Sequence, residues 1–109
     1  MKEIIHNIEL KVAVLLIEEG ESIVAYCPAL ELSSYGKTEE EAKEYFKDAL
    51  DLFIKDTVEM GTLEKNLLKF GWILKSSNYE PPRIENQVDF SKYENYKIIN
   101  QQIQIPEYA

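Results

Sequence analysis

From Ile8 onward, apolar Ile8, Leu10, Val12, Val14 and Leu16 alternate with Glu9, Lys11, Ala13, Leu15 and Ile17. A period of two predicts a β-strand, and its change from half polar to apolar on both faces predicts that its far end is central in a sheet. Glu18-Glu19-Gly20-Glu21 then reads as a charged turn, and the β-branched and aromatic run Ser22–Cys27 as the second strand of a hairpin. Pro28 has no N–H to give a ladder, so the second strand ends there. After Ala29-Leu30-Glu31, the stretch Leu32–Tyr35 fits a third strand stopping at Gly36.

At Thr38 the period changes. Thr38 with Glu41 three residues later is a capping box, in which the hydroxyl and carboxylate satisfy free N–H groups at a helix start. Glu39, Glu40 and Glu41 suit the positive end of the helix dipole, so this cluster reads as solvated helix-start charge and not as a catalytic group. Ala42, Tyr45, Phe46, Ala49, Leu50, Phe53 and Ile54 recur at three- and four-residue spacing and predict one face packed on the sheet. The pattern runs to Met60, and Gly61 is a suitable left-handed cap. Thr62 is then expected to cap a shorter helix through Phe70, Gly71 to stop it, and Trp72–Lys75 to form another strand.

Beyond Ser76-Ser77-Asn78 and Pro81-Pro82 the chain turns polar but keeps Tyr79, Phe90, Tyr93, Tyr96 and Tyr108, with a candidate last strand from Tyr96 to Ile105. The aromatics read as anchors onto the chain's own sheet or onto a neighbour. The expectation is therefore an α+β fold: a mainly antiparallel sheet in β-β-β-α-α-β order with the long helix on one face. Residues 1–75 form the domain and 76–109 an extension.

Composition narrows the chemistry. At 109 residues and 45% hydrophobic, the chain suits one core. Twelve basic against 20 acidic side chains give a net charge of -8, which repels phosphate backbones and attracts basic partners. The longest apolar run, Val12–Ile17, is too short to cross a bilayer, and no secretory leader is read at Met1–His6, so a cytoplasmic location is expected. One cysteine, Cys27, and one histidine, His6, exclude an internal disulfide and make a nucleophilic triad improbable. Cys27 reads as a small core residue. Isolated glycines give no phosphate-cradling loop, and no cofactor is expected. A metal-dependent nuclease would have to gather carboxylates such as Glu9, Glu18 and Asp48. Lys65, Asn66 and Lys69 form a small basic cluster without a following helix to complete a DNA-reading motif, and Arg83, Lys92 and Lys97 are outnumbered by acids in the extension.

The stretch Ile23–Ala42 resembles the HicB family of antitoxins through Pro28-x-Leu30, Gly36-x-Thr38, and Glu41-Ala42 opening a long amphipathic helix. The likeness covers about the first 60 residues and weakens through Thr62–Trp72. It implies a truncated ribonuclease H-like fold and a non-catalytic role: binding and masking a small basic HicA-type ribonuclease toxin, within a homo-oligomer. The family has a glycine after the leucine where this chain has Glu31, and many members end in a DNA-binding motif where this chain has its tyrosine-containing extension, so DNA binding is not expected. A metal-dependent nuclease and a stand-alone protein-binding module are the alternative readings.

Overall fold

The computed structural model describes residues 4–76 and 78–108. Three strands follow in a meander, β1 (Ile4–Glu19), β2 (Ser22–Cys27) and β3 (Leu32–Gly36). Helices α1 (Glu39–Met60) and α2 (Leu63–Lys69) come next, then β4 (Ile73–Lys75), β5 (Asn78–Glu80) and the last strand β6 (Tyr96–Tyr108). The main sheet is antiparallel with order β3-β2-β1-β6, and β4-β5 is a separate two-stranded hairpin. Among the described residues no helix is long and apolar enough to cross a membrane.

The expected place of β1 follows from its burial. Its even residues face α1: Val12, Val14 and Leu16 are buried beside Ala25 and Cys27 of β2, and beside Phe46 and Leu50 of α1. Leu15 and Ile17 point to the opposite face and are buried as well. Flanking strands and α1 alone cannot cover both faces of β1, so a second layer covers this face. Residues 81–95 supply it as a strap: Pro81, Pro82 and Ile84 lie beside Lys11, Ala13 and Asn100, and the Phe90 ring stacks on Tyr96 at 5.3 Å between centroids. The Asn95 carbonyl accepts the Glu18 N–H at 3.0 Å, closing the strap onto β1. Past the strap the outer face is polar, with Gln104 Nε2 donating to Glu9 Oε1 at 3.2 Å.

Three expectations change. Residues 72–75 do not join the main sheet: β4 turns back on β5, with Ser76 at φ 40 in the turn, and Trp72 is buried with its Nε1–H donating to the Ala29 carbonyl at 2.7 Å. The sheet's fourth strand is β6, which follows β1 from Tyr96↔Ile17 to Tyr108↔Ile4. It runs past Pro106, since an outermost strand can place a residue without an N–H on its open side. Thr62 makes no side-chain cap; its carbonyl accepts the Asn66 N–H instead. Gly61 does end α1 as expected, at φ 69.

Candidate functional site

The six motif residues fall at the two ends of the β2–β3 hairpin: Pro28 and Leu30 in the turn beyond the Cys27↔Leu32 pair, and Gly36, Thr38, Glu41 and Ala42 where the Ile23↔Gly36 pair meets the start of α1. Pro28 and Leu30 are buried in the turn after β2, whose N–H groups at Leu30 and Glu31 return to the carbonyls of Cys27 and Pro28. The turn is pinned from outside by Trp72 and by Gln87, whose amide donates to the Pro28 carbonyl. Glu31 sits at φ 51, a left-handed backbone that glycine adopts without strain. Gly36 is needed for a different reason: a Cβ there would lie 2.8 Å from the Ala42 nitrogen and 2.9 Å from Glu41 Cβ. Its bare backbone lets the first turn of α1 rest on β3, where Ser34 Oγ donates to the Ala42 carbonyl at 2.9 Å and Ala42 is fully buried.

Thr38 Oγ1 accepts the Glu41 N–H at 3.1 Å, and the Glu41 carboxylate reaches back to the N–H of Lys37, one residue before the cap. Lys97 of β6 pairs with Glu39; this hydrogen bond holds the Glu39 carboxyl below its usual range. Of the six motif residues, only Thr38 and Glu41 bring polar side chains to solvent, and both are engaged in the helix cap. The motif is architectural, and it sets the pose of α1.

α1 carries the concentrated charge. Its eight acidic and three basic side chains leave a net of -5 out of the chain's -8. Buried Ala42, Phe46, Leu50 and Thr57 mark the inward face. To one side, Lys47, Asp51 and Lys55 border a groove against Gln101–Gln104 of β6. On the other side, Glu41, Tyr45, Asp48, Leu52, Asp56 and Glu59 recur at spacings of four, three, four, four and three, so they form one continuous stripe. It holds four acids and no base. Tyr45 is 48% exposed and Leu52 58% exposed, so the sequence-based placement of Tyr45 on the packed face is corrected.

The carboxylates considered for metal chemistry do not come together. Glu9 and Glu18 fall on opposite faces of β1, roughly 30 Å apart along the strand, and Asp48 is exposed on α1. Among the described residues no group of three or more His, Cys, Asp or Glu side chains could hold a metal ion. The side chain of His6 lies outside the described ones. Cys27 is fully buried, and burial pushes its thiol up to about 11, although the N–H groups of Leu30 and Ala29 partly offset this. Lys65 and Lys69 are exposed on α2, while Asn66 is half-buried between them. Comparison with known families, curated proteins and solved structures finds no match to this chain.

Proposed function

We propose that the protein is a non-catalytic, HicB-like antitoxin that binds a small basic HicA-type ribonuclease in the cytoplasm and masks its RNA-cleaving surface. The observation that carries this reading is the far stripe of α1, where four acids surround exposed Tyr45 and Leu52 and the bordering base, Lys55, lies toward the groove. A surface that must hold RNA is basic, and an acidic stripe accelerates its capture. Aromatic and aliphatic side chains inside that stripe supply the desolvated anchors from which most interface affinity comes. The ribonuclease H-like part is the meander β1-β2-β3 with α1, the region the family resemblance covers.

The test is co-purification of the full chain with the small basic protein encoded beside it. Tyr45→Ala combined with Leu52→Ala is expected to weaken that complex at least tenfold, the effect of losing about 1.4 kcal/mol or more at an anchor. The fold should be retained, because both side chains are largely in solvent. A neighbouring frame that encodes no basic partner, or a complex indifferent to these changes, contradicts the reading.

A further inference from the structure

β6 is one of the two edge strands of the sheet, the longer of them, and no strand among the described residues pairs with its far side. Such an edge invites another strand, and proteins ordinarily guard it with charge or with proline inside the run. Here the nine residues Ile98–Pro106 carry no charge at all, in a chain that is 29% charged, and the only proline is the last of them. Ile98 is 46% exposed and Tyr96 42% exposed on the outer face. Beside the strand, a groove of about 630 Å³ separates β6 from α1, with Leu50, Ile54 and Ile103 in its lining.

Charge selects the occupant. The groove side of α1 presents Lys47, Asp51 and Lys55, whereas the far stripe presents acids alone. A copy of this acidic chain is repelled from the far stripe and can approach along β6. Size agrees: the 13 residues of β6 span about 44 Å, close to the longest extent of the molecule, 46 Å, and its thinnest extent is 19 Å. A face of those dimensions offers roughly 800 Å² per protomer, the area of a standard stable interface.

We propose that β6 pairs antiparallel with β6 of a second copy about a two-fold axis through Gln102, joining two four-stranded sheets into one of eight. A two-fold perpendicular to the sheet keeps each helix on the same side and requires facing residues of equal parity. With Gln102 opposite itself, Ile99 faces Ile105 on the helix side and Asn100 faces Gln104 on the outer side, Gln101 lies opposite Ile103, and Pro106, with no N–H to give, ends the ladder opposite Ile98. The pairing leaves the far stripe of α1 open in both copies.

The test is the molar mass of the full chain in solution, with two single-cysteine variants oxidised at the edge. The wild type is expected to be a dimer at micromolar concentration. Gln102→Lys, which sets like charges opposite one another on an exposed position, is expected to shift it to monomer with an unchanged circular dichroism spectrum. Gln102→Cys should form a covalent dimer, because facing residues lie about 5 Å apart, whereas Gln104→Cys should not, because its two copies are roughly 14 Å apart. A wild-type monomer, a dimer unmoved by Gln102→Lys, or equal cross-linking at 102 and 104 overturns the proposal, including the case in which the edge serves a different protein.

Discussion

Glu31 and Gly36 show how single residues set the geometry of the two ends of the β2–β3 hairpin. Glu31 holds a left-handed backbone at φ 51, which costs a side-chain-bearing residue about 1–2 kcal/mol, while glycine there would free the unfolded chain by about 0.4–1 kcal/mol. Glu31→Gly is therefore expected to stabilise the protein by up to about 1 kcal/mol in urea unfolding. Gly36→Ala should instead destabilise it by about 1–3 kcal/mol, since the new methyl meets the α1 backbone and not a flexible side chain. Cys27 yields a pH prediction. In the folded chain the thiol keeps its proton up to about 11, against 9.0 for the ordinary group. The unfolded state therefore releases a proton first as pH rises, and the stabilisation is full below pH 9 and lost toward pH 11. The stability gap between wild type and Cys27→Ala should shrink by about 2–3 kcal/mol across that window. A gap independent of pH contradicts the burial of the thiol.

At the scale of elements, α1 has two kinds of aromatic residue that sequence spacing alone groups together. Phe46 is 2% exposed beneath the helix and Tyr45 48% exposed beside it. Phe46→Ala should cost about 3–5 kcal/mol of unfolding free energy and Tyr45→Ala less than about 1 kcal/mol; equal losses would mean the helix is rotated from the pose described. The start and end of α1 were legible because Thr38 and Gly61 act locally, through a hydroxyl within one turn and a permitted φ. The meander was legible because the β1 alternation changes character where the second cover begins. The place of β4 was not, since three apolar residues after a glycine look alike in a sheet and in a hairpin. The strap was hidden for a related reason: Pro81, Ile84 and Tyr93 have no periodicity, and only the burial of Leu15 and Ile17 implies a layer there. The outward stripe of α1 could have been found by tracing Tyr45 and Leu52 with the acids at four- and three-residue spacing. Tyr45 reads with the core because it lies three residues from Ala42 and four from Ala49, although its angle around the helix carries it past the buried face.

For the whole molecule, the net charge of -8 is unevenly placed, with -5 on α1 and none along Ile98–Pro106. One face is thus suited to attract a basic protein and another to accept a like-charged copy. Association with the basic partner should slow steeply as salt rises from about 50 mM to 500 mM, because the Debye length falls from above 10 Å to below 5 Å. A salt-independent association rate would remove electrostatic steering from the account. The most direct measurement of the central claim is RNA cleavage by the neighbouring basic ribonuclease during titration with the purified full chain. The account predicts that cleavage falls to background at one equivalent of this chain and that the Tyr45→Ala, Leu52→Ala variant needs at least tenfold more. Cleavage that persists in excess of this chain, or RNA cleavage by the full chain alone, would contradict it.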